Sequence, residues 1–321
     1  MSLPPSDHFN GKTFFNRDHV NRSFVDVWRW KRTSRPAPWP KQVPLVPQPA
    51  PPSPRGDEIV ITWIGHATFL LQTTRGNFLT DPQFSERCGP FGLLGPKRVQ
   101  PPGLALSALP RIDAILLSHD HYDHCDLASL RWLARRDQPR VITGLRMRSL
   151  VARAGLTRVH ELDWWQQYPL SGDATATFTP ARHWSNRLSG RRNARLWGGF
   201  HLRLGRTTAW FAGDSGYDTE LFHRIREKLG APDVAMIPIG AYEPRWFMAA
   251  QHCNPEEAVR IHRDVGARLS LAMHWGTWQL TDEAREDPPR ALHIARDLYH
   301  VSPEHFHTLE AGGSVVVDAA R

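Results

Sequence analysis

Cysteine is scarce in this chain. There are three in 321 residues, Cys88, Cys125 and Cys253, and an odd trio argues against a disulfide framework. Long apolar runs are missing too: none approaches the roughly 20 residues that a membrane-crossing helix needs. The first ten residues, MSLPPSDHFN, lack the apolar core of a secretory leader. A cytoplasmic protein is therefore expected, with at most a peripheral hold on a membrane. No nucleic-acid-binding motif is present, and the 40 Lys and Arg are spread along the chain, so no nucleic-acid partner is expected. The net charge of +8 still suits acidic substrates or anionic lipid surfaces. At 40% hydrophobic and 22% charged residues, the composition excludes a disordered or fibrous chain. Histidine (17) and tryptophan (13) are plentiful, and a histidine-rich, cysteine-poor chain directs attention to metal.

Proline is unevenly placed. Eleven of the 27 fall in residues 1–56, nine of them between Pro36 and Pro54. Proline fixes φ and lacks an amide donor, so that stretch cannot be regular helix or central strand. Residues 1–56 read as an N-terminal extension, an extended arm or a disordered tail. Within them FVDVWRWKR (24–32) interleaves aromatics with arginines, as a short helix would that packs on the body or touches a surface. Residues 57–321 form the body. IVITWIGHATFLLQT (59–73) and NFLTDP (77–82) read as paired strands across a Thr-Arg-Gly turn. Later strands alternate with helical segments such as ELFHRIREKLG and PEEAVRIHRDVG. The mixture predicts an α/β body of stacked sheets with helices outside.

The strongest local signal is SHDHYDHCD (118–126), which follows the apolar strand AILL. At a strand's period of two, His119 and His121 project to one side. Asp123 and His124 are expected to face the same space from the start of the next helix. Three imidazoles and a carboxylate so close together match what Zn²⁺, Fe or Mn takes as ligands. Three more strand ends carry ligand-type groups: His183 after ATFTPAR, Asp214 after TTAWFAG, and His274 after SLAM. A lone histidine at a strand end is an ordinary hydrogen-bonded residue more often than a ligand. Seven such groups converging at one edge suffice for two metals with one carboxylate shared.

In this order, the HxHxDH run, His183, Asp214 and His274 resemble the metallo-β-lactamase superfamily. WIGHAT (63–68), LTDP (79–82), GPKR (95–98), ELDWW (161–165), GDSGY (213–217), IPIGAYEPRWFM (237–248), PEEAVRIH (255–262) and HWGT (274–277) narrow the resemblance. They are similar to the N-acylphosphatidylethanolamine-hydrolysing phospholipase D family. The resemblance implies an αββα sandwich, a metallo-β-lactamase-like fold with a di-metal site at one edge of the sheets. One zinc would take His119, His121 and His183, the other Asp123, His124 and His274, and Asp214 would bridge. It also implies a phospholipid substrate cleaved to an N-acylethanolamine and phosphatidate.

Other residues take expected roles around that site. Asp123 and Asp214 are the candidate catalytic carboxylates, with Asp123 orienting the attacking water. His66 and Asp81 are candidates to hold ligands from behind. Tyr242, Arg245, Trp246 and His252 are expected to border the substrate, with a structural salt bridge as the alternative for Arg245. The loop 84–98 mixes Phe91, Leu93 and Leu94 with Arg87, Lys97 and Arg98, a pattern suited to dipping into an anionic membrane. A homodimer is compatible with the sequence. The competing activities are a lactonase or another phosphoesterase on the same metals. A nucleic-acid-binding protein and a non-catalytic lipid-binding module are the remaining readings.

Overall fold

The computed structural model describes residues 6–17, 22–188 and 190–319. Residues 1–5, part of the stretch read for a leader, lie outside the described residues. The chain enters over the body and forms α1 (Phe24–Thr33), which begins with a capping box between Ser23 and Asp26. The proline-rich stretch that follows has no helix or strand. It is fastened to the body instead: Ala37 N donates to the Asp282 carbonyl (2.9 Å) and Val43 N to that of Val99 (2.7 Å).

The first sheet then assembles. β1 (Ile59–Gly65), β2 (Thr68–Thr73) and β3 (Gly76–Thr80) form an antiparallel meander, and β4 (Ala114–Leu117), β5 (Arg140–Gly144) and β6 (Val159–Leu162) add in parallel. The parallel crossovers carry α2 (Leu127–Arg136) and α3 (Arg148–Ala152). The second sheet repeats the plan. β7 (Gln167–Ser171), β8 (Ala174–Thr179), β9 (Gly199–Leu204) and β10 (Thr207–Phe211) are antiparallel, and β11 (Val234–Pro238), β12 (Leu269–Met273) and β13 (Phe306–His307) continue in parallel. Between them run α4 (Thr219–Leu229), α5 (Arg245–Met248), α6 (Pro255–Val265) and α7 (Asp287–Tyr299). Last, β14 (Ser314–Val317) returns to the first sheet and pairs antiparallel with β1.

Side-chain alternation explains the layers. Phe69, Leu71, Ala114 and Leu116 point to the core between the sheets, where they meet Phe178, Phe200, Leu202 and Phe211. Their neighbours Leu70, Ile115 and Leu117 point outward, onto Leu130, Leu133, Leu150 and Val151 of α2 and α3. Strands buried on both faces read as continuous apolar runs, which is why AILL and VAMIP show no alternation. The result is the expected αββα sandwich.

One expectation needs correction. Residues 59–73 are not a single strand but two, β1 and β2, folded back on each other. The turn between them uses Gly65 (φ +142°) and His66 (φ +54°), conformations that a continuing strand does not adopt. Among the described residues, no helix is long and apolar enough to cross a membrane.

Candidate metal centre

Turns at one edge of the two sheets carry the polar residues singled out above. His66 lies between β1 and β2, Asp81 follows β3, and residues 118–124 follow β4. His183, Asp214 and His274 follow β8, β10 and β12. His119 and His121 lie beyond the end of β4 rather than within it, and Asp123 and His124 occupy a turn ahead of α2, not its first residues. Asp126 is the residue that caps α2, accepting from the amides of Ala128 and Ser129. Cys125 is fully buried among the outer core residues, away from the cavity.

Two clusters result. In one, His119 Nε2 lies 2.9 Å and His183 Nε2 3.2 Å from His121 Nδ1, with Asp214 completing the group. In the other, Asp123 Oδ2 lies 3.4 Å from His124 Nε2, 3.3 Å from His274 Nε2 and 3.0 Å from His66 Nε2. Asp214 Oδ2 sits between them, 3.0 Å from His124 Nε2, 3.1 Å from His274 Nε2, 3.7 Å from His183 Nε2 and 3.9 Å from His119 Nε2.

The groups behind these rings fix their tautomers. Asp81 is completely buried and accepts from Ser118 N and from Ser118 Oγ. Its Oδ2 also meets His124 Nδ1 at 2.7 Å. With its proton given to Asp81, Ser118 Oγ accepts from His119 Nδ1, 2.8 Å away. One carboxylate thus holds protons on the far nitrogens of His124 and His119, so that the near nitrogens, one in each cluster, are the ones turned toward a metal position. His183 Nδ1 is held likewise by the Gln251 carbonyl at 2.9 Å.

The electrostatics favour a cation. Burial disfavours charge on Asp123 and Asp214, yet the His124 imidazole beside them keeps both carboxyls well below the usual carboxylate range. Burial opposes charge on His274 as well, but Asp214 raises it to about 9. His121 and His183 are driven down by burial to about 4 and about 3, so they are neutral and able to ligate. His124 Nε2, His274 Nε2 and Asp214 Oδ1 are buried without a hydrogen-bond partner. Two ionised carboxylates among buried imidazoles whose near nitrogens find no hydrogen-bond partner are what a divalent ion satisfies, in place of the protons that His124 and His274 hold without it.

The cavity above the clusters measures about 480 Å³ and is walled by Trp30, Phe247, Met248 and Leu280. Trp30 comes from α1 and stacks on Phe247 with centroids 4.8 Å apart. The sequence reading missed that wall, although Val27 and Trp30, three apart on a helix, mark an inward face. Of the four expected substrate residues only His252 lines this cavity, its ring 5.0 Å from His183 and 5.4 Å from His274. Tyr242 faces a separate hollow beside Glu283. Arg245 is engaged with Glu257 (2.8 Å) and the His252 carbonyl (2.9 Å), a structural salt bridge and not a free phosphate ligand. Trp246 is half-exposed under the Arg29 guanidinium, 4.9 Å from its ring centre.

Comparisons with known proteins agree with this geometry. The profile of the Beta-lactamase superfamily domain matches residues 76–275. A Mycobacterium tuberculosis protein is 36% identical over 314 residues, covering 92% of this chain and 82% of its own. The N-acyl-phosphatidylethanolamine-hydrolyzing phospholipase D 1 of Caenorhabditis elegans is 38% identical over 265 residues, covering 78% of this chain and 74% of its own. The solved structure of Igni18, a metallo hydrolase from Ignicoccus hospitalis, superposes with a TM-score of 0.62 at 16% identity, covering 81% of this chain and 99% of its own, and so shares the fold. The chain belongs to the metallo-β-lactamase superfamily of metal-dependent hydrolases, and within it resembles the N-acylphosphatidylethanolamine-hydrolysing phospholipases D.

Proposed function

We propose that the chain is a di-zinc phosphodiesterase of phospholipase D type, cleaving N-acylphosphatidylethanolamine to an N-acylethanolamine and phosphatidate. The observation that carries the reading is the pair of clusters sharing Asp214 beneath an apolar-walled cavity. The 38% identity to a relative named for that reaction supports it. His119, His121 and His183 would hold one zinc, Asp123, His124 and His274 the other, with Asp214 between. Bound there, two zinc ions would acidify the attacking water, neutralise charge on the phosphoryl oxygens and steady the departing alkoxide. Asp123 is held by His66 Nε2 and directs its carboxylate into the cavity. It orients the attacking water. Trp30, Phe247 and Met248 shield the reacting centre from bulk water and offer an apolar wall to an acyl chain.

Elemental analysis of protein purified without chelator is expected to approach two zinc equivalents. Hydrolysis is then assayed on N-acylated phospholipid, plain phospholipid, a lactone, a β-lactam and RNA. Release of N-acylethanolamine from the first, well above the rest, is the expected result. Preference for the lactone, or metal near zero that added Zn²⁺ does not restore, overturns the reading.

The cavity's rim is suited to a membrane. Phe91, Leu93 and Leu94 are 84%, 75% and 57% exposed, with Arg87 in the same loop. Each side chain buried in lipid contributes on the order of 1.5–3 kcal/mol when fully inserted, less when partly so. Exchanging all three for Ser is therefore expected to weaken binding to anionic vesicles about tenfold or more in a flotation assay. Cleavage of a short-chain, water-soluble substrate stays near wild type. Unchanged vesicle binding would place lipid capture elsewhere.

A further inference from the structure

A second hollow, about 590 Å³, opens beside the metal cavity and shares Pro90, Tyr122, Arg187 and Leu188 with it. Four arginines line it: Arg87 from the rim loop, Arg131 from α2, Arg153 at the end of α3, and Arg187. Among the described residues, none of the four is ion-paired. Arg87 donates only to the Gly95 carbonyl. Arg187 is buried, lies 3.8 Å over the Tyr122 ring and donates to the carbonyls of Asp120 and Cys125. The one carboxylate in the lining, Asp126, is committed to Ser85, Ser129 and the α2 amides.

Four guanidiniums around one concavity repel each other unless an anion lies between them, and their planar forks match phosphate oxygens. The mouth is apolar, with Phe91 and the 77%-exposed Leu188 at its edge. We infer that this basin binds a phosphomonoester carrying an apolar tail, the class of product that the proposed reaction leaves. The inference rests on that reading for its choice of lipid. A phosphomonoester carries about −1.5 to −2 charge at pH 7, whereas a phosphodiester carries a single negative charge. A strongly cationic basin next to the metals therefore favours product over substrate. It draws the phosphate away from the centre where it formed, while the tail remains at the apolar rim.

The test is isothermal titration of zinc-loaded protein with dihexanoyl phosphatidate. Inorganic phosphate and dihexanoyl phosphatidylcholine serve as separate arms. Wild type is expected to show two classes of site, at the metals and in the basin. The R131E/R153E double variant is expected to lose the second, with affinity there falling at least about tenfold, and R131K/R153K to retain part of it. Zinc content and circular dichroism report that the variants are folded. Identical isotherms for wild type and R131E/R153E overturn the inference. So does inorganic phosphate binding the basin as tightly as the lipid, which would make it a site for free phosphate. Loss of the second site in a protein that releases no N-acylethanolamine would uphold the basin and overturn the proposed reaction instead.

Discussion

Exchanging Asp214 for Asn is expected to lower turnover at least about a thousandfold and leave the far-ultraviolet circular dichroism of the protein unchanged. Asn keeps the shape, so the fold has no reason to respond. What disappears is the negative charge whose Oδ2 stands within 3.0–3.9 Å of four imidazole nitrogens, two in each cluster. Without it the two proposed metal positions lose their common ligand, and the largest electrostatic contribution to such a site goes with it. The metal-free protein offers a second readout. There His274 titrates at about 9, raised mainly by Asp214 against its own burial, so its titration in the variant is expected at lower pH by NMR. Turnover within about tenfold of wild type would remove Asp214 from the role of bridge.

Asp81→Asn is expected to weaken zinc binding by about 10–100-fold, although Asp81 touches no metal position. Asp81 Oδ2 receives both the Ser118 hydroxyl and His124 Nδ1. An amide cannot accept two protons where its own NH2 must sit. If the amide nitrogen takes that place, it donates to His124 Nδ1, and the imidazole proton moves to Nε2, where the lone pair is required. Ser118 is released at the same time, and with it the tautomer of His119 in the other cluster. Turning the amide over places its NH2 against Ser118 N, which already donates to Oδ1. Either arrangement leaves a buried donor unsatisfied, at a cost of about 1–3 kcal/mol. Competition with a chelator measures the first effect and thermal unfolding of the metal-free protein the second. Affinity within about twofold of wild type would show that the ligands need no such support.

The layers of the fold were legible because burial writes itself into sequence. Apolar runs of four or five residues followed by helices with apolar stripes dictate strands covered on both faces, and α6 falls on PEEAVRIHRDV as its spacing indicates. The His119–His124 run was legible for a different reason: so many ligand-type groups directly after an apolar strand leave few alternatives. The β1–β2 turn was not, since the residues on either side of His66 are all apolar or β-branched and nothing but Gly65 marks the reversal. Arg245 stayed open between a phosphate contact and a salt bridge because its partner, Glu257, lies twelve residues on in the next helix, and a pattern of residue types does not reveal which charge an arginine meets. The Gln251 carbonyl that holds His183 is a backbone group, and no side-chain pattern announces it.

The pairing of β1 with β14 has a consequence for biosynthesis. Ile59, near the start of the body, has Val317 as its partner, so the outer edge of β1 remains unpaired until the residues of β14 have left the ribosome. Every ligand-type residue, His274 included, is already made by then, yet the sheet that carries the first cluster still lacks its last strand. During that interval the nascent chain exposes an apolar strand with free backbone groups, the feature that invites pairing with other chains. The first sheet is therefore completed only after all the ligand-type residues have been made, and metal acquisition competes with chaperone capture in that interval.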